Sequence, residues 1–576
     1  MERWCWKPQC LRIHESQTKF TSAGIHWGGT CASPQFRGLI LPADSPAHDS
    51  KWKFPDWLRH RQGWLRHNYA KLVFLALVGL SIGALIKWCR HAGRSGLWAA
   101  ANRVRHTARL HRVFLICAAA CTTAFAAVVT AGDFALVHPD SFGQFYDFQA
   151  KSLLDGRLDV PDAGISGEAF VFAGKRYGYF GPMPALLRLP LVIWGIAFAQ
   201  VTRAAMLVAY IGCLWSAYLL LCDVFRRVTA TLERPPAWLT TLFILNVGLG
   251  STLVYLASRA FVYHEAILWG VMFALWSTWC ALRYFAAPSA RWWVGALACG
   301  VMAVHSRPPA GLYALTLLGV VAALIVCREW KKGIPSVKHL TIGAAAVAGV
   351  ASFNGLSYLK FRTFNGSPLR LHVQYDPGRI ARIDGKEFHL SNVPLNSYMY
   401  FVEPNLEVRA NFPWLFMTAS KSPGEFRKAK IDYPDVTLAL PYAQTGLCLL
   451  ALIGIAGAGA FSLRRASFIH LYWVAAVPMT VAMCAAVAIT HRYTADFCPA
   501  LICCAAGGAA ALTVVGRRIR LIALSILTVA TVWSVLLTAA ITLRYQGELV
   551  WGTPAGTQER YQQLQKRVDR WFDRGR

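Results

Sequence analysis

The chain has 576 residues, of which 55% are hydrophobic and only 15% are charged. A soluble protein would carry about a quarter of charged residues, whereas apolar runs of about 20 residues, the length of a transmembrane helix, recur along most of this chain. The composition therefore excludes a soluble globular protein and predicts an all-α polytopic membrane protein. The formal net charge of +30 comes from basic residues in short segments between the apolar runs, which indicates membrane topology rather than a nucleic-acid-binding face.

Cysteine usage gives no sign of a disulfide framework or of a metal site. The chain has 16 cysteines, and most of them lie inside apolar runs, where cysteine behaves as a small hydrophobic residue. The two longest polar segments, 133–184 and 360–440, contain none. We therefore predict a protein without structural disulfides and without a metal or other cofactor.

The N-terminal part of the sequence differs from the rest. Residues 1–70 contain many Trp, Arg and His residues without a sustained period, and are predicted to be a poorly ordered extension. The apolar run 71–88 is long enough to be an extra transmembrane helix. The remainder of the segment 71–112 is basic and is expected in the cytoplasm.

A bundle of about 11 core transmembrane helices is predicted within residues 113–543. The apolar runs cover 113–131, 203–224, 237–257, 262–285, 291–306, 309–327, 338–358, 441–463, 468–489, 497–515 and 519–541. If the first run leads outward, the cytoplasmic turns are FRRVTATLER, LRYFAAPSARWW, CREWKKGIPSVKH, LRRAS and GRRIR, which are all rich in Lys and Arg. Loops 133–184 and 360–440 and the tail 544–576 are then extracytoplasmic.

Two further segments are predicted to lie along the membrane surface. The run PALLRLPLVIWGIAFAQ, 184–200, is interpreted as an interfacial helix because its Arg and Pro interrupt a clean span. A full span there would also invert the charge distribution of all later turns. In the tail, Tyr561, Leu564, Val568 and Phe572 share one helical face and predict a short amphipathic helix.

The stretch HPDSFGQFYDFQAKSLLDGRLDVP, 138–161, places carboxylates, amides and aromatic rings directly behind the first core helix. Ser141 and Gln144 have the spacing of a capping box, which predicts a helix that holds Asp140 at its start, at the bilayer surface. Further on, EAFVF and RYGYF predict a two-stranded hairpin joined by Ala-Gly-Lys. Turn motifs within 360–440 predict a small folded cap.

Several of these motifs resemble the C-type (GT-C) glycosyltransferases, a superfamily of integral membrane enzymes that includes protein mannosyltransferases and the enzyme that adds aminoarabinose to lipid A. The resemblance is carried by FYDFQAKSLLDGRLDVP, GYFGPMPALLRLP and HRYTADFCPALI, and by a helix that begins at Arg203. It covers about residues 113–543 and implies that the predicted bundle of about 11 core transmembrane helices is GT-C-like. Within the superfamily, the motifs are most like those of uncharacterised actinobacterial members.

The resemblance implies an enzyme that moves a sugar from a polyprenyl-phosphate-linked donor to an extracytoplasmic acceptor hydroxyl by an inverting, general-base mechanism. Asp140 matches the acidic position of the first loop in that superfamily and is the expected base, with Asp147 as the second choice. A carboxylate at this place accepts the hydroxyl proton while the oxygen attacks the anomeric carbon. The alternative for Asp140 is a purely structural helix cap.

Arginines at predicted helix mouths are candidates for binding the donor phosphate, because a guanidinium pairs bidentately with phosphate. Arg492, in HRYTAD, is the leading candidate, and Arg259 and Arg307 lie in two other turns on the same side. Each of them could instead anchor the helix among lipid headgroups. A pair between Arg492 and Asp496 at i,i+4 would make both residues structural.

Other polar residues are predicted to contact the substrate. His264 and Glu265 begin a span, where an ionisable residue is functional by default, although a glutamate in a first turn also favours the helix dipole. Glu168 opens the hairpin and is a candidate for binding a sugar hydroxyl or a metal. The sequence nevertheless lacks an acidic cluster, which predicts metal-independent chemistry. The remaining substrate-binding candidates are Tyr146, Gln149, Tyr493 and Asp496.

Two other functions stay open at this point, namely a transporter or flippase for a lipid-linked or envelope precursor, and a membrane scaffold whose cap binds partners. A transporter needs a polar site near the bilayer midplane, whereas the charged residues of this chain gather at predicted helix ends. This favours the enzyme, in the plasma membrane with its site on the extracytoplasmic side. The expected partners are a polyprenyl-phosphate sugar donor, a glycan, lipid or protein acceptor, and membrane lipids, with no nucleic acid.

Overall fold

The computed structural model describes residues 111–140, 142–229, 234–331, 333, 337–420, 426–460, 468–547 and 556–573. The predicted extension 1–70, the possible extra helix 71–88 and Ser141 of the predicted capping box lie outside the described residues. The described part is mostly helical, and three two-stranded sheets lie between its helices.

The helices and strands follow one another along the chain with short connections. The α-helices are α1 (Arg112–Val129), α2 (Phe145–Leu154), α3 (Asp162–Ile165), α4 (Met183–Ile193), α5 (Thr202–Thr229), α6 (Ala237–Gly248), α7 (Thr252–Tyr255), α8 (Val262–Ala286), α9 (Ala290–Val304), α10 (Pro308–Trp330), α11 (Val337–Phe361), α12 (Pro377–Arg382), α13 (Val393–Phe401), α14 (Leu440–Ala443), α15 (Thr445–Ala460), α16 (Ile469–Ala485), α17 (Cys498–Val514), α18 (Arg517–Gly547) and α19 (Thr557–Asp573). The strands are β1 (Phe170–Phe172), β2 (Lys175–Tyr177), β3 (Leu406–Val408), β4 (Leu415–Met417), β5 (Tyr433–Pro434) and β6 (Ala488–Ile489). Short 3₁₀ helices cover Ser166–Glu168, Leu256–Ser258, Leu369–Leu371, Leu390–Asn392 and His491–Phe497.

The described helices make this chain a multi-pass membrane protein. Seven helices are long and apolar enough to cross a membrane, and the bent pair formed by α6 and Thr252–Ser258, which meet at 41°, could form an eighth span. Helices also occupy the other three predicted span positions, but α9, α15 and α16 are shorter. The described residues therefore support seven or eight spans and do not show the predicted number of about 11. The predicted interfacial segment forms the short helix α4.

The chain alternates between two ends of the bundle. We call the end that carries segments 130–201 and 362–439 the loop face, and the opposite end, with the turns rich in Lys and Arg, the basic end. At the basic end, the Asp223 carboxylate accepts a hydrogen bond from Trp279 Nε1 (2.9 Å) and lies 3.5 Å from Arg283.

Close helix packing fixes the bundle behind the loop face. A β-carbon at Gly508 of α17 would lie 1.8 Å from the Leu450 carbonyl oxygen, and one at Gly454 of α15 would lie 2.1 Å from that of Cys504. Glycines at these positions let the two backbones touch, as small residues do where helices associate in lipid. Helix α8 is buried along most of its length. Its first turn lies at the centre of the bundle, at the end of the helix that meets the loop face.

The first loop differs in detail from its predicted form. Helix α2 begins at Phe145, so Asp140 lies ahead of the helix and not at its start. The intervening Phe142 has a φ of 57°, which turns the chain sharply. The predicted hairpin is present as β1 and β2, with a tight turn at Ala173 and Gly174, both at positive φ. Such a turn matches the twist of the two strands.

The second long loop contains α12, α13 and the hairpin β3–β4, and strand β5 pairs in parallel with β6 next to α17. The predicted tail helix is present as α19 and packs on that hairpin. Gln565 Nε2 donates to the Phe412 carbonyl oxygen (2.8 Å), and the Phe412 amide donates to Asp569 (2.7 Å). On the predicted apolar face of α19, Tyr561 is buried, whereas Phe572 remains half exposed.

Candidate active site

The loop face brings together the hairpin, the cap and the turn that follows α9. Phe170 of β1 forms a bridge with His372, and the Val373 amide donates to the Ala169 carbonyl oxygen (3.0 Å). The chain beyond the hairpin passes so close to the turn after α9 that a β-carbon at Gly181 would lie 1.8 Å from the His305 carbonyl oxygen. The hairpin is thus held between the cap and the bundle.

Arg492 lies in the 3₁₀ helix ahead of α17 and is sandwiched by aromatic rings. Its guanidinium carbon lies 5.0 Å from the centre of the Tyr263 ring and 5.2 Å from that of Tyr493. Both rings present their faces to the cation. Among the described residues, no carboxylate or other acceptor is bonded to this guanidinium, and its Nε is buried without a hydrogen-bond partner. Within the described part of the chain, Arg492 is therefore a cation without a charged partner.

Arg307, the second predicted phosphate ligand, is instead bound to a carboxylate of the protein. Its Nε lies 3.0 and 3.1 Å from the two Asp496 oxygens, and its Nη2 donates to Oδ2 at 2.6 Å. The predicted i,i+4 pair between Arg492 and Asp496 is wrong, because a 3₁₀ helix has three residues per turn and places the two side chains on different sides. Arg307 also stacks on Tyr493 at 4.8 Å, on the ring that contacts Arg492.

Asp140, the base expected from the sequence, is buried in an ion pair. Arg203, at the start of α5, donates from Nε to both carboxylate oxygens (3.1 and 2.9 Å) and from Nη2 to Oδ1 (2.7 Å). Only 3% of the Asp140 side chain is exposed. Arg203 also donates to the Ala135 carbonyl oxygen at 3.1 Å. The pair therefore fastens the exit of α1 to the entrance of α5.

Asp147 and Glu265 share a single arginine. Arg188 of α4 pairs through Nη1 with Asp147 and through Nη2 with Glu265, and all three side chains are almost fully buried. Arg188 Nη2 also donates to Thr202 Oγ1 (3.0 Å), and Glu265 accepts from Trp269 Nε1 (3.3 Å). Burial raises the pKa of Asp147, although the Arg188 guanidinium opposes that shift. This triad connects α2, α4 and α8.

The two other candidates on α2 lie inside the packed first loop. Tyr146 and Gln149 are buried, and neither the Tyr146 hydroxyl nor Gln149 Oε1 has a hydrogen-bond partner among the residues that the structure describes. The Tyr146 ring lies 5.6 Å from the Arg188 guanidinium. The structure therefore places both residues beside the triad and does not bring either into contact with Arg492.

His264 and Arg259 hold the turn between α7 and α8. The His264 ring is buried, and its Nδ1 lies 2.9 Å from the Leu256 carbonyl oxygen and 3.0 Å from that of Arg259. Arg259 Nη2 donates to the Tyr545 carbonyl oxygen (2.7 Å), and its guanidinium stacks on the Tyr545 ring at 4.2 Å. These contacts fasten the turn to α18, which gives both residues a structural part.

Glu168 lies on the other side of the aromatic rings around Arg492. Its Oε2 is 3.6 Å from His372 Nε2, its side chain is 20% exposed, and its carboxylate lies near the Tyr263 hydroxyl. Tyr179 is a further neighbour of this group, and burial holds its pKa well above the usual value, so its hydroxyl stays protonated. We call Glu168, Tyr179, Tyr263, Arg492 and Tyr493 the loop-face cluster. Its side chains are all only partly buried.

The cluster offers an anion-binding guanidinium, aromatic rings and one carboxylate, which suits a phosphorylated ligand with a hydroxyl-bearing group. Within the part of the chain that the structure describes, no three His, Cys, Asp or Glu side chains are grouped closely enough to hold a metal ion. Four residues of this region were not predicted from the sequence. They are His372 beside Glu168, Arg188 at the centre of the triad, and Tyr179 and Tyr263 of the loop-face cluster. For Arg188 the signal was present, since an arginine inside an apolar run needs a buried partner.

Comparisons with known proteins give low similarity. No protein-family model and no curated protein matches the chain. The chain is similar to the apo oligosaccharyltransferase of Archaeoglobus fulgidus, with 13% identity and a TM-score of 0.38 over 77% of this chain and 57% of that one. It is also similar to AglB from the same organism in complex with an inhibitory peptide and a dolichol-phosphate, with 15% identity and a TM-score of 0.37 over 75% and 56%. ArnT from Cupriavidus metallidurans bound to undecaprenyl phosphate gives 11% identity and a TM-score of 0.38 over 75% of each chain.

This chain spans a little over half the length of the archaeal proteins that it matches. Similarity at this level does not assign an activity. The function has to be inferred from the side chains at the loop face.

Proposed function

We propose that the chain is a membrane glycosyltransferase that takes a sugar from a polyprenyl-phosphate-linked donor and passes it to an acceptor hydroxyl at the extracytoplasmic surface. The observation that carries this proposal is the guanidinium of Arg492, which lies between two tyrosine rings and is bonded to no carboxylate among the described residues. A partly buried cation without a partner is costly. A phosphate would supply the missing charge and accept several of its hydrogen bonds.

An apolar groove on the side of the bundle supports a donor with a lipid chain. It lies between α4, α9 and α11, has a volume of about 1000 Å³, and is lined almost entirely by apolar side chains. Leu186, Val294 and Leu359 on its walls are 41%, 62% and 60% exposed, as expected of residues that face lipid. The groove ends in polar groups, where His305 Nε2 lies 3.0 Å from Ser352 Oγ.

The polar end of the groove is connected to Arg492, the proposed phosphate-binding residue, through Arg307 and the Tyr493 ring. His305 is two residues from Arg307, and Arg307 stacks on the Tyr493 ring that also contacts Arg492. A polyprenyl chain in the groove could therefore reach Arg492 with its phosphate. This geometry suits a ligand whose head is an anion and whose tail remains in the bilayer.

The charge pattern supports an extracytoplasmic site. The turns of the basic end carry the Lys and Arg clusters that the positive-inside rule assigns to the cytoplasm. The loop-face cluster lies at the opposite end of the same helices. Phosphate stabilisation by Arg492 would assist departure of the carrier lipid while the acceptor oxygen attacks the anomeric carbon with inversion.

The test is binding of undecaprenyl phosphate to the purified full chain in detergent, followed by transfer in cells. Arg492→Ala should weaken binding of this probe at least about tenfold, because a charge-assisted contact with the phosphate is lost. Arg409→Ala is the matched control, since Arg409 is exposed at the loop face, forms an ion pair with exposed Glu407 and lies over the Phe416 ring. It should bind like the wild type.

The cellular arm compares envelope glycans and polyprenyl-linked sugars in cells that lack the gene and carry either variant. Loss of a glycan with accumulation of a polyprenyl-linked sugar in the Arg492→Ala strain is the expected result. The proposal is overturned if Arg492→Ala binds undecaprenyl phosphate as tightly as the wild type and leaves the glycans unchanged. Lost movement of a precursor with unchanged glycan transfer would instead indicate a flippase.

A further inference from the structure

The carboxylates of the loop face differ in their availability to a ligand. Asp140 is bonded to Arg203, Asp147 and Glu265 share Arg188, and Asp496 is bonded to Arg307. A carboxylate that accepts such bonds is stabilised in its charged form and has its lone pairs occupied. Of the site carboxylates predicted from the sequence, only Glu168 has no arginine partner within the described residues.

The partner of Glu168 is the ring of His372 in the cap, at 3.6 Å between Oε2 and Nε2. The tautomer of that ring follows from its other nitrogen. The Gln374 backbone N–H donates to His372 Nδ1 (3.1 Å). Nδ1 therefore carries no proton, and the ring proton is on Nε2. His372 thus directs its Nε2–H towards the Glu168 carboxylate. The same relation between a histidine and a carboxylate orients proton-transfer groups in other enzymes.

The backbone around Glu168 is restricted by its conformation and by close contacts with the cap. Ser166, two residues earlier, has a φ of 46°, a value that residues with side chains rarely adopt. A β-carbon at Gly167 would lie 2.7 Å from Gln374 Nε2. The Phe170–His372 bridge then joins the two loops on the other side of Glu168. The structure therefore holds a partly exposed carboxylate in a constrained position.

Glu168 is also next to the proposed phosphate site. Its carboxylate lies near the Tyr263 hydroxyl, and the Tyr263 ring lies 5.0 Å from the Arg492 guanidinium. A sugar bound through its phosphate at Arg492 would extend over these rings. A hydroxyl approaching the anomeric carbon from the cap side would pass Glu168.

We infer that Glu168 is the general base of the transfer and that His372 is the residue that positions it. This inference rests on the proposed function. The Glu168 carboxylate accepts the proton of the acceptor hydroxyl while that oxygen forms its bond to the anomeric carbon. The bond from the anomeric carbon to the phosphate oxygen breaks, and both of its electrons leave with the polyprenyl phosphate held by Arg492. Glu168 afterwards returns the proton to water.

The main experiment measures two quantities on the same purified full-length variants: binding of undecaprenyl phosphate, and transfer of labelled sugar in membranes that contain the natural lipid-linked donor. Glu168→Gln keeps the shape of the side chain and removes its basicity. We expect it to bind the probe like the wild type and to transfer at least about a hundredfold more slowly. Glu407→Gln, an exposed carboxylate on the β3–β4 hairpin, is the matched control and should leave both quantities unchanged.

Two further readouts separate a base from a structural residue. Sodium formate should restore part of the transfer rate of Glu168→Ala, because a small carboxylate can occupy the vacated space and accept the proton. His372→Phe keeps the ring but removes its N–H, and should shift the acidic limb of the pH–rate profile with a smaller loss of rate. The groups that face Glu168 and shape this profile are His372, Tyr179 and Tyr263.

The outcomes distinguish the two proposals. If the wild type neither binds undecaprenyl phosphate nor transfers sugar, the proposed function itself fails. If the wild type does both and Glu168→Gln transfers at the wild-type rate, only the inference about Glu168 fails. If Glu168→Gln does not fold, Glu168→Asp tests the inference. This variant keeps the negative charge but has a side chain that is one methylene shorter. A slower transfer with unchanged binding supports the base, and an unchanged rate overturns it.

Discussion

The junction of the first loop with the bundle and the loop-face cluster use similar residues in opposite ways. At the junction, Asp140, Asp147 and Glu265 are buried and bonded to two arginines, Arg203 and Arg188. In the cluster, a guanidinium and a carboxylate remain partly exposed, and aromatic rings lie between them. The difference indicates that paired charges hold the loops on the helices, whereas the groups left without a charged partner are available to a ligand.

The largest effect is expected when the shared arginine is removed. Arg188→Leu leaves two buried carboxylates without a partner, which should lower the free energy of unfolding by about 3–5 kcal/mol. The measurement is the thermal stability of the purified protein in detergent, together with its expression level. The triple variant Asp147→Asn, Arg188→Gln, Glu265→Gln should recover part of the loss, because no unpaired charge remains.

If Arg188→Leu has the melting temperature of the wild type, the view that the paired charges hold the first loop on the helices is contradicted. That result would mean that the triad contributes little to the fold and that its charges are free for another purpose.

A smaller effect on stability is expected at the other buried pair. Asp140→Asn keeps an oxygen that can accept from Arg203 but removes the negative charge, and should lower stability by about 2 kcal/mol. Sugar transfer should fall only in proportion to the amount of folded protein. Thermal unfolding and transfer by membranes with equal amounts of the variant check these two points.

Asp140→Asn also decides between the two candidate bases. A variant that is as stable as the wild type, binds undecaprenyl phosphate and transfers no sugar would support Asp140 as the base, as the sequence resemblance implies. The same result would count against the assignment of Glu168.

The smallest effect is expected in the cap, at the pair of Arg379 and Asp432, whose arginine side chain is 26% exposed. Although burial alone would raise the pKa of Asp432, hydrogen bonds from Arg379 and from the Tyr375 hydroxyl hold that pKa below its usual value. A lowered carboxyl pKa contributes stability above the unfolded pKa, near pH 4, and that contribution is lost as the pH falls through the folded value.

Asp432→Asn should therefore lower stability by about 1 kcal/mol at pH 7 and reduce the loss of stability below about pH 4. Melting temperatures of the variant and the wild type between acid and neutral pH check this. Parallel curves for the two proteins across that range would show that the Asp432 pair does not contribute to the acid dependence.

Most of the helix positions could be predicted from the sequence, since a helix in lipid has to be apolar over its length and the basic turns report orientation. Hydropathy does not show where a helix ends because of contacts with other parts of the fold. Helix α16 ends at Ala485 because the next residues form β6 and pair with β5 in the cap. The sequence likewise predicted a helix start near Ser141, whereas the turn at Phe142 delays α2 to Phe145.

The candidate site was predicted in its residue types but not in its pairings. Arg188 meets Asp147 across 41 residues and Glu265 across 77, and Arg307 meets Asp496 across 189. Contacts at such separations depend on how the helices pack, which a single sequence does not specify. Arg492 could be singled out because it stands at a helix mouth. Only the fold shows that Arg492 lacks an acidic partner among the described residues. The nearby Asp496 is bonded to Arg307 instead.

The groove beside α4 has a consequence for substrate choice under the proposed function. Its walls include strongly exposed apolar side chains, such as Val294 and Leu359, so a carrier could slide in sideways from the bilayer without being extracted. Only the isoprene units nearest the phosphate would then touch protein, while the remainder of the chain stayed dissolved among acyl tails. Such an arrangement favours tolerance of carriers of different length, with selectivity confined to the head.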